Sequence, residues 1–283
     1  MGRVTKRVPS TRVVVGDADD GPVASATSRP DTVAVEEPLA IRVEGRPVSV
    51  TMRTPGDDFD LAIGFLLTEG MLEEAAQVRQ ATHCRDEDET GSPTFNVVDI
   101  ALAPGTALDT SRAERSSYTS SACGVCGKTS IEAIRATTRY AVARDTAVFD
   151  PAVVAGLPEA LRSRQRAFDR TGGLHAAGLL TATGEVLAVR EDVGRHNAVD
   201  KVVGWAAREG RLPLSGHILV VSGRASFELT QKAVMAGVPM LVAVSAPSSL
   251  AVELATEAGL TLVGFARPPR MTVYAGAHRL GLA

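Results

Sequence analysis

The chain has 283 residues, 45% of them hydrophobic and 22% charged, with a formal net charge of −3. That is the balance of an ordinary globular protein of one large or two modest domains, with no global field to favour nucleic acid or an anionic membrane. No run approaches the ~18 apolar residues of a membrane span, and no charged, apolar and small leader opens the sequence. Three cysteines are too few for a disulfide framework, so the expected setting is a reducing cytoplasm.

Residues 1–32 carry early basic residues, an Asp/Gly stretch from Gly16 to Pro22, and a Ser/Thr/Pro-rich run. Lacking periodicity, they predict a flexible arm outside the core. Order is expected from Val33. Residues 33–43 and 46–52 predict paired strands around the turn Glu44-Gly45. Pro55-Gly56-Asp57-Asp58 predicts the cap of an amphipathic helix with Leu61, Phe65, Leu66 and Leu72 on one face. A second strand pair, over 78–84 and 95–102, flanks the acidic run from Asp86 to Glu89. These elements make a smaller N-terminal α+β region over 33–104, followed by a linker and cysteine loop over 105–128.

The rhythm then changes, and 129–283 reads as an α/β domain. Residues 168–180 enter a strand or a strand–helix junction. Strands over 186–190, 217–222, 240–245 and 260–265 alternate with helices over 197–208, 226–236 and 248–258, the pattern of parallel βαβ units with helices covering the sheet. Such sheets hold ligands at the carboxyl ends of their strands. Three junctions there, Arg190 to Asn197, Ser222 to Ser226 and Ser245 to Ser249, are followed by a fourth polar loop, Phe265 to Arg270. Together they offer Arg195, His196, Arg224, Arg267 and Arg270 as a bed for phosphates or another polyanion. Each junction alone reads equally well as a capped helix start. No dinucleotide fingerprint or phosphate loop is present, because Gly127-Lys128-Thr129 lacks the earlier glycine. His175 and His196 read first as hydrogen-bonded structural residues, with a cofactor contact as the functional reading of His196. Asp200 and Lys201 are expected to face neighbouring groups on their own helix, as surface or interface charges, and Trp205 reads as core.

The densest chemistry lies in Ser121-Ala122-Cys123-Gly124-Val125-Cys126-Gly127-Lys128, where two of the three cysteines sit three residues apart among glycines. Four readings use this spacing. A zinc site would need two more ligands, and only His83-Cys84 could supply them. A thioredoxin-like dithiol expects an aromatic-rich strand before it, which is missing. A buried packing pair is a poor fit to a glycine-rich loop. A sulfur carrier needs an exposed thiol of lowered pKa on a mobile loop, and Lys128 and a helix expected from Thr129 would both favour the thiolate. The chemistry alone leaves the carrier and redox readings side by side.

Several stretches together resemble the formate dehydrogenase accessory sulfurtransferases, the FdhD/NarQ family. They are Thr54-Pro55-Gly56-Asp57-Asp58, Gly64-Phe65-Leu66-Leu67-Thr68-Glu69-Gly70, the cysteine loop, and Phe168-Asp169-Arg170-Thr171-Gly172-Gly173-Leu174-His175. They continue with Glu191-Asp192-Val193-Gly194-Arg195-His196-Asn197-Ala198-Val199-Asp200-Lys201 and Ser222-Gly223-Arg224-Ala225-Ser226-Phe227-Glu228. The resemblance implies a three-layer cytidine-deaminase-like sandwich carrying the smaller N-terminal region. It implies a sulfurtransferase that takes sulfane sulfur from a cysteine desulfurase and delivers it to the molybdenum bis-pterin guanine dinucleotide cofactor of formate dehydrogenase. Cys123 would carry the persulfide and Cys126 would assist or relay. Phe265, Ala266, Arg267, Pro268, Pro269 and Arg270 would contact the guanine dinucleotide. Deaminase chemistry is not implied, because His175-Ala176-Ala177 lacks the catalytic Glu of the zinc deaminases and no cysteine follows Cys126. The remaining expectations are a homodimer, the formate dehydrogenase catalytic subunit as a partner, no resident metal, no nucleic acid and no membrane.

Overall fold

The computed structural model describes residues 4–15, 25–84, 94–109 and 138–282, which form a mixed α/β protein. Strands β1 (Thr5–Val14) and β2 (Ser25–Ala34) pair antiparallel, Thr5 opposite Ala34 and Val14 opposite Ser25. This corrects the expectation of an arm without secondary structure. The ribbon still stays outside the core, as its largely exposed side chains show. The Pro, Ser and Arg between its valines and threonines hid the strand signal, because nothing buries one face to enforce alternation.

β3 (Glu37–Val43) and β4 (Arg46–Arg53) form the expected hairpin, with Glu44 and Gly45 both at positive φ in the turn. β5 (Val78–His83) and β6 (Val97–Leu102) complete a sheet of order β4-β3-β6-β5. Helix α1 (Asp58–Thr68) lies on it through Leu61 and Leu66, against Leu39, Ile41, Val98 and Ile100. Its opposite side is covered too, since Gly64 meets the backbone of a second helix. The helix is therefore sandwiched, and the expectation of a single apolar face is corrected.

A second sheet has order β12-β11-β10-β9-β7-β8. Its strands are β7 (His175–Thr181), β8 (Val186–Asp192), β9 (His217–Val221), β10 (Met240–Ala243), β11 (Thr261–Arg267) and β12 (Arg270–Ala275). Only β9, β10 and β11 run parallel. β7 is antiparallel to both its neighbours and β12 is antiparallel to β11. The all-parallel expectation fails where connections are too short for a crossover, between 181 and 186 and at Pro268-Pro269. Side chains alternate between the faces. Leu219, Val221, Leu241 and Ala243 meet helices α4 (Arg195–Arg208), α5 (Phe227–Met235) and α6 (Ser249–Ala258). Ile218, Val220, Met240 and Val242 meet α2 (Pro151–Arg162) through Val154, Leu157 and Leu161.

The two sheets are joined through α1 and α4, the most extensive helix–helix contact among the described residues. Gly64 and Gly204 make it possible. A Cβ on Gly64 would lie 1.8 Å from the Asp200 carbonyl oxygen, and one on Gly204 1.8 Å from that of Asp60. Ion pairs seal the same junction. Asp60 joins Arg190 at 3.1 Å and Arg208 at 2.6 Å across it, while within the N-terminal region Arg53, 1% exposed, ties β4 to Asp58 of α1 and Glu37 of β3. Asp200 and Lys201 belong here as well. Both are buried, and their partners lie on other elements, Thr68 and Lys232 for Asp200 and Asp192 and Thr54 for Lys201, so the expectation of surface charges facing their own helix is corrected. Trp205 is only partly buried, with the Arg190 and Arg211 guanidinium groups over its ring.

Candidate functional site

All four polar junctions meet at one sheet edge. His175 opens β7 opposite Asp192, which ends β8, and the carboxyl ends of β9, β10 and β11 lie beside them. A cavity of about 550 Å³ opens at this edge. One wall comes from α2 and its continuation: Pro158, Glu159, Leu161, Arg162 and Gln165. A second comes from α3 (Arg166–Thr171) and the turn after it: Phe168, Gly172 and Gly173. The sheet provides His175, Val193 and Ser222, and the β11–β12 hairpin closes the far side with Ala266, Arg267 and Pro268.

Each wall has a local cause. Asp150 caps α2 by accepting from the Ala152 N–H at 2.8 Å, with Pro151 in the first turn. The Glu191 carboxylate accepts from the Ala167 and Phe168 N–H groups at 2.8 and 2.7 Å, which fixes α3 and its Phe168 against the sheet. Gly172 ends α3 at φ 65, a left-handed cap that suits glycine. The Arg162 guanidinium lies 4.7 Å from the Phe168 ring centroid and pairs with Asp169 at 2.6 Å.

The segment Phe265 to Arg270 is the tip of a β-hairpin, not a loop after the last strand, which corrects the sequence expectation. Its Pro268-Pro269 bond is cis. A bulge between Gly264 and Arg267 leaves Phe265 exposed at φ 49, while Ala266 is buried. Bulges re-aim side chains near functional sites, and here the result is that Ala266, Arg267 and Pro268 line the cavity. Phe265, Pro269 and Arg270 do not line it. Arg270 nevertheless stands directly across the hairpin from Arg267, and both are exposed. Neither forms an ion pair among the described residues. Like charges facing each other across strands repel, so an anion at the tip would stabilise the hairpin.

Burial lowers the pKa of His175, and Arg195 adds to the effect against an opposing pull from Asp192, so the imidazole is neutral near pH 7. His196 lies farther back, on α4. Burial, then Lys232 and Arg195, bring its pKa down to about 4. Its Nε2 is buried without a hydrogen-bond partner among the described residues, and it is 3.9 Å from Glu228. Behind it, Lys232 donates to Asp200, Thr68 and Glu69. Burial opposes the Lys232 charge, but Asp200 and Glu69 outweigh it and raise its pKa.

Of the residues singled out in the sequence, Ala266, Arg267, Pro268, His175 and Ser222 come together. Cys123 and Cys126, and the helix expected from Thr129, lie outside the described residues. Cys84 is a half-buried free thiol, and its neighbour His83 packs against Phe59 and Phe95. Glu159, Arg162 and Gln165 escaped the sequence reading. Asp150-Pro151 and the spacing of Val154, Leu157 and Leu161 were a usable helix signal, but Pro158 inside α2 argued against it.

No helix among the described residues is long and apolar enough to cross a membrane. The fold is similar to the crystal structure of a putative formate dehydrogenase accessory protein from Desulfotalea psychrophila, with a TM-score of 0.73 at 23% identity, covering 97% of this chain and 99% of that one. The chain is 56% identical over 283 residues to the sulfur carrier protein FdhD of Streptomyces avermitilis, covering 100% of this chain and 98% of that protein. It is 54% identical over 256 residues to that of Mycobacterium tuberculosis, covering 89% and 93% respectively. The FdhD/NarQ family model matches residues 34–281, and the chain belongs to that family.

Proposed function

We propose that the protein is a sulfur carrier for the maturation of formate dehydrogenase, moving sulfane sulfur from a cysteine desulfurase to the molybdenum bis-pterin guanine dinucleotide cofactor. The observation that supports the acceptor side is the cavity at the strand ends, walled by Ala266, Arg267 and Pro268, with Arg267 and Arg270 unpaired across the hairpin. Pyrophosphate suits these two guanidinium groups, and a flat base suits the apolar wall of Pro158, Leu161 and Phe168. The cofactor is cargo, a substrate that arrives, accepts sulfur and leaves.

Cys123 thiolate attacks the sulfane sulfur of the desulfurase persulfide. A new sulfur–sulfur bond forms on Cys123, the donor bond breaks, and the desulfurase cysteine leaves as thiolate. Cys126 thiolate then attacks the Cys123 sulfur. A Cys123–Cys126 disulfide forms, and the outer sulfur departs as sulfide to the metal, the dithiol supplying the two electrons. A homodimer would place two carriers beside a cofactor with two pterins. In this reading residues 33–104 form the smaller α+β region, and 129–283 a cytidine-deaminase-like domain.

Incubation with a desulfurase and cysteine should add the mass of one sulfur atom to the Cys123 peptide, and Cys123→Ala should abolish the gain. A titratable Cys123–Cys126 disulfide with no gain of sulfur would instead indicate a dithiol oxidoreductase.

A further inference from the structure

Gln165 is 3% exposed and lines the cavity, and its carboxamide makes no hydrogen bond among the described residues. Its polar atoms are not among those sealed from solvent, so the amide stays open to a partner in the cavity. Glu159 lies on the same wall, exposed, with its carboxylate likewise free of any ion pair or hydrogen bond among the described residues. The other titratable neighbour on that wall, Arg162, is committed to Asp169 and to the Phe168 ring. The cavity therefore combines an apolar wall with one unpaired amide and one unpaired carboxylate.

We propose that Glu159 and Gln165 are the residues that recognise the guanine base of the cargo, an assignment that rests on the cofactor reading above. A carboxylate accepts two hydrogen bonds side by side, from the ring N1–H and the 2-amino group of guanine. The Gln165 amide donates to the guanine O6. Adenine breaks the match at Glu159, where it would place the N1 lone pair against the carboxylate and offer no 2-amino group. The Gln165 carboxamide can turn to accept from the adenine 6-amino group, so the discrimination lies at Glu159. The arginine-bearing hairpin tip holds the phosphates and the α2 wall reads the base, a division of labour within one cavity.

The test is equilibrium binding of GDP, IDP and ADP to the full chain. GDP should bind on the order of tenfold more tightly than IDP, which lacks the 2-amino group, and roughly a hundredfold more tightly than ADP. Glu159→Gln should bring GDP and IDP to within about twofold of each other. Gln165→Met, which keeps the buried volume, should weaken GDP and IDP together by about tenfold and leave their ratio intact. Unchanged melting of both variants separates recognition from folding. If the three nucleotides bind alike, or both variants bind like the parent while Arg267→Ala/Arg270→Ala loses affinity, the base assignment falls and the phosphate site stands. If the parent chain binds no GDP, the assignment and the cofactor reading fall together.

Discussion

Gly204→Ala should destabilise the protein by more than about 4 kcal/mol, although the same change in an ordinary helix stabilises by up to about 1 kcal/mol. The added Cβ would sit 1.8 Å from the Asp60 carbonyl oxygen and 2.8 Å from the Gly64 nitrogen. These are backbone atoms and cannot rotate away. Relief requires α1 and α4 to separate by roughly 1.5 Å, and α1 has no free side to move toward, because the four-stranded sheet holds Leu61 and Leu66. Gly156 of α2 is the internal control. A Cβ there meets nothing within 4 Å, so Gly156→Ala should be neutral or slightly stabilising. Chemical denaturation of the two variants reads both signs. Equal effects would show that the helices can part cheaply and that the junction is loose.

Lys201→Met should cost about 3–5 kcal/mol by the same measurement. The Lys201 ammonium is 2.7 Å from the Asp192 carboxylate and donates to the Thr54 carbonyl at 2.9 Å, with both side chains out of solvent. Asp192 also accepts from the Thr54 and Gly194 N–H groups and from the Asn197 amide, which ties the end of β8 to β4 and to the start of α4. Losing the cation strands a buried negative charge beside the candidate site. Lys201→Met with Asp192→Asn should recover only part of the loss, because it removes the uncompensated charge but sets an amide NH2 where an oxygen accepts from N–H donors. A double variant no better than the single one would mean that Asp192 is stabilised by its three other donors alone.

Most elements were legible because local rules and tertiary context agreed. The helices after β8, β9 and β10 follow Gly194, Ser226 and Ser248, and the Ser226 and Ser248 hydroxyls accept from the Leu229 and Ala251 N–H groups. The apolar runs of β9 to β11 are those of strands buried on both faces. What failed depends on partners distant in sequence. The β1–β2 ribbon buries too little for a pattern, and β12 is defined by pairing with β11. Asp200 and Lys201 look like surface charges until α1, β4 and α5 surround them with Thr68, Thr54 and Lys232. Of the cavity's lining, the sequence singled out Arg267, and it read His175 first as a structural residue, but it passed over Gln165. Its importance lies in an unpaired amide facing a cavity, a property of assembly that leaves no periodicity to read.

The most direct measurement is a single-turnover sulfur chase. The chain is loaded at Cys123 with labelled sulfane sulfur, freed of desulfurase and mixed with formate dehydrogenase carrying unsulfurated cofactor. The label should pass to the dehydrogenase and restore formate oxidation. Arg267→Ala/Arg270→Ala should load normally yet keep the label on Cys123, with transfer slowed by at least about tenfold, because the cargo is no longer held at the hairpin tip. Transfer at the parental rate by the double arginine variant, or activation of the dehydrogenase by Cys123→Ala, would contradict the account.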